Sequence, residues 1–411
     1  MSSQNNIFTS IDIASSKVLC VIAINDTQDG KLNIIGVGQA NCYGVKRGQI
    51  VELDEVLTSI TSAVEQAETM AGISVEQSIV NVNGFDVKSY NASEVVAITN
   101  SDHLILDDDL KRSEFVVTSK IRPKDGSQIL SVLPQEYIVD GVKTNTVPLG
   151  QSGHRLETTA HILTVNSGHL KTIEQVCVRA GLNIIGIHSN IESLTYSCPS
   201  RKEKDMGTLI IDFGAETTNV VVMNAGKIIF SDCLPLGSNH ITKDIAFSLK
   251  TNTQVAEKIK INIARASKLV GESNAKYDLS ELGLNIELTQ ANLDQVVFAR
   301  LLELFEIIRE LLEKNNLITV LGSSAIITGG GSNLKGLEES VRDYFNLAVR
   351  RANFDDFTGL TDKLELSRSA VALGQILYLQ YNSGSQFETR KIELISSLKK
   401  RISKLFKSII P

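Results

Sequence analysis

A unit of apolar runs around an aspartate turn occurs twice in this chain of 411 residues. The first copy spans residues 8–37 and turns at Asp12, and the second spans residues 208–234 and turns at Asp212. Each copy reads as a strand, a turn of small or hydroxylated residues, a second strand, a Gly-Lys turn and a third strand. A unit of this kind that recurs once predicts a duplicated α/β domain.

Both aspartate turns have a composition that suits phosphate binding. Small residues let backbone N–H groups approach an anion, and hydroxyl groups add further donors. Asp12 and Asp212 stand at strand ends, where a carboxylate can hold a hydrated Mg²⁺, an ion that usually keeps several waters. Two facing turns would hold the phosphates of a nucleotide from both sides. The alternative is two ordinary hairpins, since Asp and Gly are common in turns.

A third loop favours the nucleotide interpretation. Residues 325–327 read as a strand, and Thr328, three glycines and Ser332 follow before a helix start. Adjacent glycines at a helix N-terminus form an anion site or a place where a flat ring lies against the backbone. A structural turn is the alternative, but the position of the loop after the second aspartate turn favours a nucleotide.

Composition argues against several other classes of protein. The net charge of −6 does not suit nucleic acid as the main partner. The polar start lacks the apolar segment of a secretory signal, and no apolar run approaches the ~18 residues that would span a bilayer. Five scattered cysteines inside apolar runs indicate reduced thiols in a cytoplasmic protein, and the six histidines lack the spacing of a structural metal site.

The segments between these motifs predict helices and a small insertion. The acidic triplet 107–109 predicts a helix N-terminus rather than a metal site, because negative charge opposes the helix dipole there and consecutive side chains diverge. Before the insertion we predict a helix from an N-cap at Asp54 to Gly72 and a strand at 78–83. The insertion is α+β, spans 84–161 and has strands at 94–99, 129–133 and 136–139. After it we predict strands at 160–165 and 182–187, helices at 169–180 and 190–197, and a helical stretch at 238–316.

The end of the chain has the pattern of a membrane-surface helix. Residues 381–393 have the composition of a flexible linker, and residues 394–411 follow. On a helix, the apolar side chains of this last segment fall within an arc of about 120° and cations fill the rest. The apolar set is Leu394, Ile395, Leu398, Ile402, Leu405, Phe406 and Ile409, and the cations are Lys399, Lys400, Arg401, Lys404 and Lys407. Such a helix lies in the surface of an anionic bilayer. A terminal helix docked on its own domain is the alternative, although that leaves the cationic face unexplained.

Together, the two aspartate turns, the glycine loop and the helical stretch resemble the actin-like ATPase superfamily. The finer resemblance, over nearly the whole chain, is to the FtsA family of bacterial cell-division proteins. The segments that carry it are 34–38, 44–48, 63–72, 134–137, 148–153, 256–260 and 328–331, with the basic amphipathic end.

The resemblance implies a duplicated actin-like, ribonuclease H-like α/β fold with an inserted small α+β subdomain and a C-terminal amphipathic helix. The implied divisions are a first actin-like domain (1–83 and 162–197), an inserted subdomain for self-association (84–161), a second actin-like domain (198–237 and 319–380), a helical insert (238–318), a linker (381–393) and a membrane helix (394–411).

ATP and Mg²⁺ are the cofactors that the resemblance implies. The matching residues are Asp12, Ser15, Ser16 and Lys17 in the first turn, Asp212, Gly214 and Thr217 in the second, Glu257 and Lys260 beside the ribose and base, and Gly329, Gly330, Gly331 and Ser332 in the adenosine loop. By the same resemblance, Asp12 and Asp212 would hold Mg²⁺ through water. Glu192 would orient the attacking water, and Asp212 is the second catalytic candidate.

Four residues depart from the family pattern. Ala14, Ala215, Glu216 and Ala264 stand where glycines are usual. Glu216 is the most disruptive, because a carboxylate near phosphate costs electrostatic energy unless Mg²⁺ or an outward rotamer relieves it. We therefore predict that the nucleotide binds but is hydrolysed slowly at most, and that it acts mainly as a conformational switch.

The implied function is to hold filaments of the tubulin-like protein FtsZ to the cytoplasmic face of the inner membrane at the division site. Its implied partners are FtsZ, further copies of itself, later division proteins and anionic lipid, with no nucleic acid. The alternatives are a pilus-assembly relative similar to PilM, a metabolic kinase or ATPase of the same fold, and a scaffold that binds no nucleotide.

Overall fold

The structure, a computed structural model, describes residues 7–25, 30–144, 146–266, 275–280, 287–322 and 324–382. Its strands are β1 (Ile7–Ile13), β2 (Lys17–Asn25), β3 (Leu32–Asn41), β4 (Val45–Lys46), β5 (Gln49–Ile50), β6 (Ser78–Val82), β7 (Lys88–Ala97), β8 (Ser127–Val139), β9 (Val142–Thr144), β10 (Arg155–Asn166), β11 (Ile184–Ser189), β12 (Thr208–Phe213), β13 (Thr218–Asn224), β14 (Lys227–Leu234), β15 (Lys276–Asp278), β16 (Glu287–Thr289), β17 (Ser324–Thr328), β18 (Ala348–Arg351) and β19 (Phe357–Gly359). Its α-helices are α1 (Leu53–Ala71), α2 (Asp107–Ser119), α3 (Ser167–Arg179), α4 (Asn190–Ser197), α5 (Arg201–Met206), α6 (Ser238–Ser248), α7 (Thr253–Asn262), α8 (Gln290–Lys314), α9 (Leu337–Phe345) and α10 (Ala370–Asn382).

The predicted duplication is confirmed by two sheets that begin with the same three strands. The first sheet has the order β11-β6-β1-β2-β3-β19, and the second has the order β14-β13-β12-β17-β18. In each, three consecutive strands pair antiparallel and the first of them also pairs with a parallel strand, β6 or β17. The central strands are buried along nearly their whole length, as expected for sheets covered on both faces.

Helix α1 packs against β2 and β3 of the first sheet. It ends as predicted at Gly72, which adopts the left-handed conformation with φ 68°. The predicted N-cap is wrong, because the helix begins one residue before Asp54 and Glu52 occupies the cap position. Asp54 lies in the first turn instead, where its carboxylate accepts a hydrogen bond from Arg179 at 2.7 Å.

The insertion forms its own sheet, ordered β7-β10-β8-β9, with α2 packed against it. Two predicted strands, 129–133 and 136–139, are one strand β8 that continues through Pro134. A proline is tolerated there because the pairing with β10 shifts register beside it and β9 pairs only from Tyr137 onward. The acidic triplet begins α2 as predicted, and the Asp109 carboxylate accepts the Leu106 N–H at 3.0 Å.

The inserted sheet also contacts β14, the edge strand of the second sheet. Three side chains of the insertion donate hydrogen bonds to β14 backbone carbonyls: Ser89 to Ser231 at 2.6 Å, Asn91 to Ile229 at 2.9 Å, and Gln135 to Ile228 at 2.6 Å. The buried His161 ring adds a contact of 2.8 Å from its Nε2 to the Ser231 hydroxyl. The insertion therefore links the first sheet, which carries it, to the second.

The predicted helical stretch 238–316 contains helices α6, α7 and α8, together with a two-stranded ribbon, β15 and β16, that the sequence did not predict. These elements and α9 enclose the hydrophobic core of the second sheet.

The last described residues return to the first sheet. Strand β19 pairs in parallel with β3, and α10 packs against β1, β2 and α4. Strand β19 and α10 fall within the predicted second actin-like domain (198–237 with 319–380), but they lie against strands of the first sheet. The contact between α10 and α4 is unusually close, since a Cβ placed on Gly374 would lie 2.0 Å from the Ser193 carbonyl oxygen.

The predicted linker and membrane helix fall almost entirely outside the described residues. Tyr381 and Asn382, predicted as linker, are the last residues of α10. Within the described ranges no helix has the length and apolar character needed to cross a bilayer.

Candidate functional site

The three predicted loops meet in one cleft of about 430 Å³ between the two sheets. Twelve of the predicted binding residues line it: Asp12, Ser15, Ser16, Lys17, Asp212, Gly214, Thr217, Glu257, Lys260, Gly329, Gly330 and Gly331. The two aspartate hairpins therefore face each other, and they are not separate surface turns.

Asp12 stands at the end of β1 and is buried at the floor of the cleft. Its Oδ1 accepts a hydrogen bond of 2.9 Å from the Asn81 amide, which also donates to the Asn190 side chain at 2.9 Å. The Asn81 oxygen in turn accepts the Ile13 N–H at 2.6 Å. Burial raises the pKa of Asp12 to about 6, and the nearby Lys17 opposes that rise.

Asp212 occupies the equivalent position at the end of β12. Its Oδ2 accepts a 2.9 Å hydrogen bond from the Asn219 amide, so each aspartate is held by an asparagine. Burial raises the pKa of Asp212 to about 6, against the lowering effect of this hydrogen bond. Asp212 also raises the pKa of Asp12, as expected for two carboxylates that share one cleft.

Lys17 places a buried cation beside these carboxylates. Its Nζ donates to the Gln39 side chain at 3.3 Å. Burial lowers the pKa of Lys17 to about 8, while Asp12 acts in the opposite direction. An ammonium group that is costly to bury unpaired favours an anionic ligand in the same cleft.

The glycine loop packs so closely against β12 that two of its positions leave no room for a side chain. Gly329 has φ 84°, and a Cβ there would lie 2.5 Å from the Phe213 carbonyl oxygen and 2.6 Å from Asp212 Oδ1. A Cβ on Gly331 would lie 2.5 Å from the Phe213 ring. Ser332, predicted to contact the nucleotide, does not line the cleft. It is buried, and its hydroxyl donates to the Gly329 carbonyl at 2.7 Å, which fixes the loop.

Helix α7 supplies an ion pair to the lining of the cleft. Lys260 Nζ lies 2.7 Å from Glu257 Oε2 and donates to the Thr242 hydroxyl at 2.9 Å. Burial lowers the pKa of Lys260, and Glu257 opposes that shift.

Glu216 does not line the cleft and instead faces α6. Its Oε1 accepts a 2.9 Å hydrogen bond from Asn239 and lies 3.5 Å from Lys243 Nζ. Burial by itself would raise the Glu216 pKa, but the Asn239 hydrogen bond and the Lys243 charge together hold that pKa below its ordinary value. The outward rotamer considered in the sequence analysis is therefore the observed one.

Glu192, predicted to orient an attacking water, does not line the cleft. Its Oε2 accepts hydrogen bonds from Ser131 at 2.9 Å and from Ser189 at 3.0 Å. Ser131 belongs to β8 of the insertion and Ser189 caps α4, so this carboxylate joins those two elements. The placement does not support a role in hydrolysis.

The sequence analysis did not single out several residues that line the cleft or hydrogen-bond to the aspartates in it. Asn81 and Asn219 are polar residues within apolar strands, a signal that could have marked them. Arg368, Glu365 and Asn83 carry no comparable signal. Asn83 donates to the Thr217 hydroxyl at 3.0 Å across the cleft, and Arg368 donates to the Ser16 hydroxyl at 3.2 Å.

Comparison with known proteins identifies the family. A family model described as "Cell division protein FtsA" matches residues 209–374, and one described as "SHS2 domain inserted in FTSA" matches residues 84–164. The cell division protein FtsA of Bacillus subtilis is 30% identical over 361 residues, which cover 87% of this chain and 81% of that protein. The chain belongs to the FtsA family of cell division proteins. The FtsA of Borreliella burgdorferi is 29% identical over 405 residues, covering 98% of this chain and 97% of that protein.

Solved structures agree with this FtsA assignment at the level of the fold. A chain of the PilM–PilN type IV pilus biogenesis complex superposes with a TM-score of 0.64 at 16% identity, covering 90% of this chain and 98% of that one. MreB5 of Spiroplasma citri bound to ADP superposes with a TM-score of 0.54 at 14% identity, covering 92% of this chain and 97% of that one. The predicted actin-like fold is confirmed. PilM is similar in structure only, whereas the sequence relatives named above are FtsA proteins, so the PilM-like alternative is set aside.

Proposed function

We propose that this FtsA-family chain is an ATP-binding switch that ties FtsZ filaments to the cytoplasmic membrane. The observation that carries the proposal is the single cleft shared by both aspartate turns and the glycine loop. Its buried lysine and narrow glycine cradle fit a nucleoside phosphate better than an uncharged metabolite.

The residues present fit ATP with Mg²⁺. Glu257, Lys260 and the glycine loop line the same cleft, where a flat base would lie against the Gly330 backbone, and Lys17 would pair with phosphate. Asp12 and Asp212 are two carboxylates on one cleft, the number that suits a largely hydrated Mg²⁺. When bound, Mg²⁺ would neutralise phosphate charge and favour the ionised form of both aspartates, whose burial otherwise favours protonation.

The placement of the carboxylates supports slow hydrolysis. Asp12 and Asp212 are in the aspartate turns, whereas the other two carboxylates that line the cleft are paired, Glu257 with Lys260 and Glu365 with Arg368. Glu192 and Glu216 do not line the cleft. We expect purified protein to turn over ATP far more slowly than an active chaperone ATPase. Chaperone-like turnover in a phosphate-release assay, with Asp212→Asn as the inactive control, would contradict this expectation.

Membrane attachment is proposed from the amphipathic sequence 394–411, and self-association and FtsZ binding from membership of the family. A site at the division septum and the recruitment of later division proteins follow from the same membership. A metabolic kinase of this fold would not need the cationic end.

The experiment that tests the tether is co-sedimentation with vesicles of anionic lipid. The full chain is compared with one truncated before Leu394 and with a full-length Leu398→Glu, Phe406→Glu variant, each with and without ATP and FtsZ. We expect only the intact chain to carry FtsZ to the vesicles. Equal sedimentation of all three chains would refute the tether, and transfer of labelled phosphate to a member of a sugar panel would favour a kinase.

A further inference from the structure

Arg368 is a cleft residue that belongs to neither aspartate turn nor to the glycine loop. It lies in the short segment before α10, which begins two residues later at Ala370. Its side chain lines the same cleft as Lys17 and Lys260 and is only 26% exposed. No sequence pattern singles it out.

The Arg368 side chain bridges the two halves of the cleft. Its Nη2 donates to the Ser16 hydroxyl of the first turn at 3.2 Å, and its Nη1 donates to Glu365 at 3.0 Å. Its aliphatic stem lies against the glycine loop, since a Cβ placed on Gly330 would meet Arg368 Cγ at 3.4 Å. The Ser367 carbonyl next to it accepts the Gly329 N–H at 2.7 Å.

This position suits a guanidinium that binds phosphate. A guanidinium has five N–H donors in a planar fork, and the two bonds above leave donors for a ligand. Glu365 holds the fork in place and is itself bound by Asn333 at 2.8 Å. The positive charge of Arg368 also acts on other groups in the cleft: it lowers the pKa of Asp12, Lys17 and Lys260.

We propose that Arg368 is an additional phosphate-binding residue, which contacts the nucleotide between the first aspartate turn and the glycine loop. The inference rests on the proposed nucleotide function and adds a specificity determinant to it. Arg368 would thereby distinguish a nucleoside phosphate from the bare nucleoside. Because only Ser369 separates Arg368 from α10, phosphate binding at Arg368 would act directly on the N-terminal end of that helix.

The test measures the affinity of the full chain for ATP with Mg²⁺ and for adenosine, by competition against a fluorescent adenine nucleotide. Arg368→Gln should weaken ATP binding roughly ten- to a hundredfold, the range for a charge-assisted hydrogen bond, and change adenosine binding less than about twofold. Arg368→Lys keeps the positive charge but lacks the planar guanidinium, so its affinity for ATP should lie between those of the wild type and Arg368→Gln. Arg342→Gln, an exposed arginine on α9, is the matched control and should bind both ligands normally.

The possible outcomes separate the two proposals. ATP binding by the unmodified chain with an unchanged affinity in Arg368→Gln would overturn the phosphate contact alone. An equal loss for ATP and adenosine, or a collapse of the melting temperature, would assign Arg368 a structural role and overturn it as well. Failure of the unmodified chain to bind ATP would overturn the proposed nucleotide function and this inference with it.

Discussion

At the scale of single residues, the cleft holds charges at a cost to the folded protein. Asp12, Asp212 and Lys17 are buried. Burial raises the pKa of both aspartates and lowers that of the lysine, so it favours the neutral form of each group. Sites arranged for a charged ligand commonly give up stability in this way. The cost can be measured in the absence of ligand.

Asp212→Asn should stabilise the ligand-free protein at neutral pH. A pKa raised from 3.8 to about 6 corresponds to about 3 kcal/mol of folding free energy. The carboxyl favours the folded state only while protonated, so its contribution is present below pH 3.8 and is lost as the pH rises through about 6. The variant should therefore exceed the wild type in free energy of unfolding at pH 7.5, and the gap should close near pH 4.

Chemical denaturation at both pH values measures this difference. Asp343→Asn, an exposed aspartate on α9, is the control and should leave both values unchanged. A variant that is less stable than the wild type at pH 7.5 would show that Asp212 is not destabilising there.

Gly329→Ala should be far more damaging than Gly330→Ala. The first substitution combines φ 84° with a Cβ only 2.5 Å from the Phe213 carbonyl oxygen, whereas the nearest atom to a Cβ on Gly330 is a flexible Arg368 carbon at 3.4 Å. We expect Gly329→Ala to cost about 2–4 kcal/mol and Gly330→Ala less than about 1 kcal/mol. Thermal melting of the ligand-free protein compares them, and equal losses would contradict the proposed packing of the loop.

At the scale of secondary-structure elements, sequence pattern predicted the two aspartate hairpins, the start of α2 and the end of α1. Apolar runs and Gly or Asp signals carry local information, and these elements depend on it. The same reasoning split β8 at Pro134, because a proline normally interrupts a strand, and missed the β15–β16 ribbon, because three-residue strands leave little pattern.

At the candidate site, the differences between the sequence-based expectation and the structure have another physical origin. Whether Glu192 faces the cleft or Ser131 depends on how the insertion docks on α4, which no local pattern encodes. The return of β19 and α10 to the first sheet is likewise a long-range pairing. Arg368 reaches Ser16 across 352 positions of sequence, so it could be found only in three dimensions.

Glu192→Gln tests the structural placement of that residue directly. An amide can still accept from Ser131 and Ser189, so the variant should fold and keep whatever slow ATP turnover the wild type shows, within about twofold. Asp212→Asn serves as the comparison, because it alters a residue that lines the cleft. A loss of turnover in Glu192→Gln as large as that in Asp212→Asn would restore the water-orienting role implied by the family resemblance.

At the scale of the whole molecule, the insertion holds the two sheets together beside the cleft. Its hydrogen bonds end on carbonyls of the edge strand β14, so they satisfy groups that an edge strand would otherwise expose. Side-chain contacts of this kind are easier to release than strand pairing. The insertion therefore bears on how readily the cleft opens.

Asn91→Ala with Gln135→Ala should loosen this contact without unfolding either sheet. We expect hydrogen–deuterium exchange to quicken at β14 and β7, while the central strand β12 keeps its protection. Gln254→Ala, an exposed residue on α7, is the control and should change neither. If β14 exchanged as slowly in the double variant as in the wild type, the hydrogen bonds from the insertion would not stabilise this edge strand.

The absence of a side chain at Gly374 has a mechanical consequence. The Ser193 carbonyl fills the space where a Cβ would stand, so α4 and α10 are in direct backbone contact. In such close packing, we expect a tilt of one helix to move the other with it. At 1.5 Å per residue α10 is a lever of roughly 20 Å, so a tilt of about 5° at its foot would swing its far end by roughly 2 Å. Asn190, the first residue of α4, lines the cleft, and Asn382 is the last residue of α10. A small adjustment around a ligand would thus become a displacement at the point from which the remaining residues of the chain depart.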